Sequence, residues 1–400
     1  MSRDDFTFTI KRLDAARDLT AEEWNQCANP AHRLYNPFLD HSFFCAVEES
    51  GSASPKTGWQ ACHLVLMQDT HAAAIFPLYL KSHSQGEYIF DHIWADAFHR
   101  AGGNYYPKLL SATPFTPATG SRLLTSALDP ALAAIQARAL LRAAENLLIQ
   151  NGISSLHINF IPQETWTFLG EENYLLRKDQ QFHWENNDYR CFDDFLGALA
   201  SRKRKNIKKE RAKALENGIT IEWLTGDQLT ESHWDAFFAF YLDTGQRKWG
   251  TPYLTRAFFS QVQETMRDQI LLVMAKRDGK FIAGALNFIG GDTLFGRNWG
   301  CLEDHPFLHF EICYYQAIDF AIDRGLKFVE AGAQGTHKIA RGYAPRTTYS
   351  AHYIAHEGLR EAIDHYLAEE RQYIENDIKV LSQYTPFKDL PGVKTEEDND

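Results

Sequence analysis

Apolar positions along the chain fall into two similar series of short runs. Residues 63–91, HLVLMQDTHAAAIFPLYLKSHSQGEYIFD, alternate apolar runs with short polar turns, which predicts a three-stranded antiparallel meander. Residues 270–300, ILLVMAKRDGKFIAGALNFIGGDTLFGRNWG, predict another, with RDGK and GGD as its turns. Downstream of each, apolar residues recur at helical spacing up to a glycine. These segments are LLRAAENLLIQNG, stopping at Gly152, and YYQAIDFAIDRG, stopping at Gly325. A short apolar run follows each, ISSLHINFI and LKFVEAGA. The order meander, helix, strand therefore occurs twice, an internal duplication with a period of about half the chain.

This pattern predicts an α/β protein of two tandem domains, each a mixed β-sheet flanked by helices. The first spans residues 1–190 and the second 191–385, joined by residues 182–193. Only the first half has a long connection between meander and helix, residues 92–125, and its Pro- and Gly-punctuated sequence reads as a functional loop or lid. Residues 357–383 predict a closing amphipathic helix, and residues 386–400 an acidic tail.

Composition narrows the class. At 400 residues with 44% apolar and 13% aromatic positions, the chain can fill two cores. The N-terminal MSRDDFTFTIKR has no apolar export segment and no run of eighteen apolar residues occurs, so a soluble, cytoplasmic protein is expected. The six cysteines form no C-x-x-C pair, which speaks against a zinc knuckle or a disulfide framework. His305, His309 and Glu311 lack the H-E-x-x-H pattern, so no metal is expected.

One segment departs from the acidic whole. Eight of the twelve residues from Arg202 to Lys213 are Lys or Arg, in a chain of net charge −11. A helix over SRKRKNIKKERAKALENG, ending at Gly218, repels itself unless an acidic surface or a phosphate-bearing ligand meets it. Lys203 sits on its apolar side, between Leu199 and Ile207, where Glu210 or a ligand is expected to pair with it.

The duplicated order of elements, the R-x-x-I of the basic helix (Arg204 to Ile207) and the closing VEAGAQGTHKIARGYAP (residues 329–345) together resemble the FemAB-like N-acyltransferases. That resemblance implies a double GNAT fold and transfer of amino acids onto cell-wall (peptidoglycan) precursors. It also places Lys338 at the lysine the family uses in its active site. The family's helical coiled-coil arm has no counterpart here. The R/Q-x-x-G-x-G/A loop of simple acetyl-CoA enzymes is missing from CLEDHPFLHFE, and TPATGSRLL in the first half is only a loose relative.

Acyl transfer to an amine needs a base, donors for the developing oxyanion and a site that holds both substrates. Catalytic candidates are Lys338 for the oxyanion and Glu330, Glu311 or His337 for the base. Each can equally be a structural partner of nearby charges. Substrate-binding candidates are Arg341 and Tyr343 in the closing motif, Arg247 and Trp249 in RKWGTPYL, Arg297 and Trp299 in GRNWGC, Tyr105 and Lys108 in the connection, and Arg204 and Lys208 on the basic helix. No tightly bound cofactor is required. The acyl donor is aminoacyl-tRNA or acyl-CoA, and the acceptor a small-molecule or peptide amine. An acyl-CoA-dependent acetyltransferase and a non-catalytic module binding cell-wall fragments or nucleic acid remain as alternatives.

Overall fold

The computed structural model describes residues 8–248, 250, 252–332 and 335–388, without the side chains of residues 246–248. Its strands are β1 (Phe8–Leu13), β2 (Trp59–Ala61), β3 (His63–Gln68), β4 (His71–Phe76), β5 (Tyr79–Lys81), β6 (Lys108–Ser111), β7 (Leu124–Thr125), β8 (Ser155–Ile161) and β9 (Leu175–Glu185) in the first half. The second half has β10 (Thr220–Leu224), β11 (Ile270–Arg277), β12 (Lys280–Ile289), β13 (Thr293–Cys301), β14 (Phe328–Glu330) and β15 (Ala344–Ile354).

The second meander forms as expected, β11 to β13 pairing antiparallel in sequence order. The first differs. β3 and β4 make a hairpin flanked by β1 and β7, while its continuation, β5, lies in the large sheet between β2 and β6. Residues 82–91 hold no strand, and β6 pairs beside β5 after the helix His92–Arg100. Each half then has its long helix, Pro130–Gln150 and the run 308–323, before β8 and β14 respectively.

The large sheet runs β10-β11-β12-β13-β14-β9-β15-β8-β6-β5-β2 without a break. At its centre the halves trade strands. β9 ends the first half yet pairs with β14, and β15 ends the second yet pairs with β8, with β9 and β15 antiparallel to each other. The expected division at residue 190 therefore follows a chain crossing and does not separate two sheets. Apolar packing also spans it: Phe38 lies 5.1 Å from Phe288 and 5.2 Å from Phe295, and Phe43 5.8 Å from Phe258.

The face of each central strand follows from alternation. Phe182, Trp184 and Val329 point into the core beneath the helical run 308–323. His183 and Glu330, one residue out of phase, point to the opposite face, toward the first half.

Candidate active site at the end of the central strands

β13 and β14 are parallel partners only over Thr293–Phe295 and Phe328–Glu330. Beyond that no pairing joins residues 296–301 to residues 331–332, an opening in the hydrogen-bond ladder. A bulge in β13 sits at this point, since Asn287 pairs with Gly296 and Leu286 with Asn298, so Arg297 is the extra residue. On the helical side of the opening, residues 311–315 form a π-turn, a local widening common where side chains are aimed at a ligand.

Lys338 stands on that helical side. Its buried Nζ donates to the carbonyls of Ala331 (2.6 Å) and Gly332 (2.9 Å), near the rings of Phe182 and Tyr314. Two of its three N–H groups are thereby fixed, and the third has no hydrogen bond among the described residues. With no carboxylate in contact among the described residues, burial pushes its pKa down to about 8. The neighbouring Tyr314 hydroxyl lies 3.0 Å from His337 Nε2. Burial and the charges of Arg341 and Lys338 keep His337 low, so it is neutral near pH 7.

Arg341 lies over the Phe310 ring at 3.5 Å, donates to the His337 carbonyl and forks onto Glu210 of the basic helix at 3.0 and 2.9 Å. The Tyr315 hydroxyl completes that pair by donating to Glu210. Next on the same helix, Arg211 grips Glu311 (2.9 Å) and Asp319 (2.7 Å). Glu311 is fully buried, takes a further bond from Gln316, and has its pKa raised by burial against the pull of Arg211. Its oxygens are occupied, so it serves as the anchor for the helix. Tyr343 is a core wall, its ring 5.5 Å from Tyr314.

The basic helix, Ser201–Ala214, is thus docked beside the lysine loop by Glu210 and Arg211. Glu210 answers Arg341 and not Lys203, contrary to expectation; Lys203 and Arg204 are only half-buried and need no buried partner. Arg202, Lys205, Lys208 and Lys209 are exposed, with Lys208 3.4 Å from Asp193. Changing these four to Gln is expected to leave thermal stability nearly unchanged, because exposed charges contribute little. If tRNA is bound here, log Kd against log salt should flatten by about 0.7–0.9 for each phosphate no longer neutralised, as filter binding at several salt concentrations would measure. An unchanged slope would make this face a solvated one.

Glu330 lies on the other face of the sheet, and so does not share the helical-side pocket with Lys338, Arg341 and Trp299 as expected. A one-residue step along β14 suffices to turn it over, and the bulge keeps Arg297 on its side. Burial pushes Glu330 up to about 8, opposed by the charge of Arg297. Arg297 donates to the Phe115 carbonyl (2.6 Å), so the 92–125 connection does reach the second half here. It is no loose lid: carbonyls of Phe115, Pro117 and Ala118 are held by Arg297, Gln181 and Arg122. The Phe115 ring stacks on Tyr253 at 5.0 Å.

Tyr105 and Lys108 have internal partners instead of a second ligand. Lys108 is fully buried on Ser84 (2.8 Å), Glu87 (2.8 Å) and Asp91, and Tyr105 donates to Asp91 (2.8 Å). The Arg247 side chain and Trp249 lie outside the described residues. Trp299 faces the helical side, 5.1 Å from His309. Sequence reasoning missed Tyr314, Phe310, Glu210 and Arg211 as site-builders; the aromatic pair in EICYYQA was the one local signal available.

Comparison with known proteins fits this architecture. A FemAB-like family model, described as peptidoglycan biosynthesis/recognition, matches residues 15–389. No curated protein matches the chain. Among solved structures, FemX is similar at 12% identity, covering 88% of this chain and 100% of its own, with TM-score 0.54. The C-terminal domain of a putative lysylphosphatidylglycerol synthetase from Agrobacterium fabrum gives 9% identity, 86% and 96% coverage and TM-score 0.54. L-PGS from Bacillus licheniformis gives 9%, 89% and 99%, and 0.50. The fold is the tandem GNAT arrangement, and with its family model spanning nearly the whole length, the chain belongs to the FemAB-like family.

Proposed function

We propose that this protein is an N-acyltransferase that moves an aminoacyl group from aminoacyl-tRNA onto the amine of a peptide or cell-wall precursor. The observation that carries this reading is the opening between β13 and β14, with Lys338 and the docked basic helix on one face and Glu330 with Arg297 on the other. The polyanionic donor approaches over the basic helix and presents its ester carbonyl at the opening. The acceptor comes from the face of Glu330. Glu330 takes a proton from the acceptor ammonium, the freed amine attacks the carbonyl, and the Lys338 N–H stabilises the oxyanion. Collapse breaks the ester C–O bond, the second proton of the attacking nitrogen passes to the leaving ribose oxygen, and the new amide remains.

Acyl-CoA is a poorer donor here. A helix start attracts phosphate, but the loop entering residue 308 carries Glu303 and Asp304, which repel it. The direct test offers the purified protein charged bulk tRNA or acetyl-CoA with an amine-bearing cell-wall precursor peptide, and follows product mass. Transfer from acetyl-CoA alone would overturn the choice of donor.

This mechanism needs Glu330 deprotonated and Lys338 protonated, both with pKa about 8, so kcat/KM should form a bell centred near pH 8. Glu330→Gln is expected to lower the rate by about 10²-fold and to remove the low-pH limb. The same variant should gain stability at alkaline pH. A carboxyl with a folded pKa above its unfolded value holds its proton more tightly when native, so stability is lost as pH rises from about 4.5 through about 8. Gln removes that slope, and denaturant melts at pH 5 and pH 9 would register the difference.

A further inference from the structure

A second polar group stands beside Glu330, and the transfer step described above makes no use of it. In the antiparallel ladder of β9 and β14, His183 is directly opposite Glu330. Their side chains therefore leave the sheet on the same face, with Cβ atoms about 4.5–5.5 Å apart. Both are partly exposed, whereas Gln181, the next residue along that face of β9, is buried.

The tautomer of His183 follows from its partners. Gln181 donates Nε2 to the Pro117 carbonyl (2.7 Å), which leaves its Oε1 for the imidazole. That oxygen can only accept, so His183 Nε2, 3.3 Å away, carries the ring proton. Nδ1 then has a lone pair and makes no hydrogen bond among the described residues. Burial, then the charges of Arg346 and Lys338, bring the pKa of His183 down to about 4, so the ring is neutral at pH 7. The carboxylate of Glu330 and this bare nitrogen are two acceptors side by side.

An acceptor ammonium brings three hydrogens to this place. One goes to Glu330, one passes to the leaving ribose oxygen and one stays in the amide. We propose that His183 Nδ1 accepts a hydrogen bond from the retained N–H, which holds the nitrogen with its lone pair toward the ester carbonyl and restricts the acceptor to primary amines. No proton moves to His183 at any stage. An alcohol has no retained hydrogen, and a secondary amine has a carbon in its place, so either leaves Nδ1 against a group that cannot donate. The inference rests on the aminoacyl-transfer reading and names the class of acceptor.

Transfer from charged bulk tRNA to the amine-bearing precursor peptide tests it in the full-length protein. His183→Leu is expected to lower kcat/KM about 10–100-fold, the effect of losing one hydrogen bond to a group that arrives charged. His183→Asn, whose amide oxygen falls where Nδ1 lies, should recover most of that loss. His183→Gln, whose amide falls where Nε2 lies, should not. The site is partly exposed, so the variants should fold, as thermal melts would check. A Leu variant at the wild-type rate, or recovery by Gln and not by Asn, would overturn the proposal, the second by reducing His183 to a structural partner of Gln181. Nitrogen NMR of histidine-labelled protein reads the tautomer without turnover, the His183 signals being those lost in His183→Asn. Nε2 should be protonated and Nδ1 bare from pH 6 to pH 8, and a proton on Nδ1 would overturn the assignment whether or not a donor is found. If Nδ1 is bare and wild type moves no aminoacyl group, the transferase reading falls and the acceptor assignment with it.

Discussion

Replacing Lys338 by Met is expected to reduce kcat for aminoacyl transfer by about 10²–10³-fold, the usual loss when one oxyanion donor is removed. KM for either substrate should change little, because the free N–H is used where charge develops and not in the ground state. Arginine should not rescue the reaction. The two carbonyls of Ala331 and Gly332 are spaced around a compact ammonium in a buried site, and a planar guanidinium presents its donors in a different fork. Met keeps the stem between Phe182 and Tyr314, so the variant should stay folded. Steady-state kinetics beside a thermal melt separate the two effects. A variant that transfers at the wild-type rate would remove Lys338 from the mechanism.

The largest effect on stability is expected from Arg211→Met. Glu311 has no exposure to water and relies on Arg211 as its contacting cation. Stripping a buried pair of one partner costs about 3–5 kcal/mol. Arg211 is itself about one-fifth exposed, at 22% for its side chain, so the lower end, about 3 kcal/mol, is expected at pH 8. The loss should shrink at pH 5. Without Arg211, Glu311 titrates far above its unfolded value when native, so the penalty is present at high pH and fades as the carboxyl takes up its proton. The double variant Arg211→Met/Glu311→Gln should recover most of the stability in urea melts. A single variant as stable as wild type would show that the basic helix is docked by Glu210 alone.

Much of the local structure was legible. Gly152 and Gly325 do follow the two long helices, β11 to β13 span residues 270–301, one beyond the expected end, and the closing helix is Glu357–Ser382. These features are written in short-range periodicity. The strand exchange was not legible, because β9 and β15 find their partners across more than a hundred residues and their apolar spacing suits either neighbour equally. The site was legible in residue types but not in facing. Glu330 and Lys338 are separated by AGAQGTH, a stretch with no period to carry a side-chain direction from one to the other. Arg341 as a substrate-binding candidate and Glu311 as a candidate base could not be seen to be occupied for the same reason: Glu210 and Arg211, which pair with them, lie 131 and 100 residues away.

The trading of β9 and β15 has a consequence for how the chain is made. During synthesis β8 leaves the ribosome with one edge bare, and the strand that will cover it, Ala344–Ile354, is still some 190 residues from being translated. At elongation speeds of about 5–20 residues per second, that edge waits for roughly ten seconds or more. An unpaired strand edge is a template for any passing strand, including the β8 of a neighbouring nascent chain. The first half thus cannot finish folding as a unit ahead of the second, and crowded polysomes expose it to swapping with its own copies. Slower initiation or lower expression temperature should therefore raise the yield of correctly closed monomeric sheets more than any stabilising substitution in the finished fold.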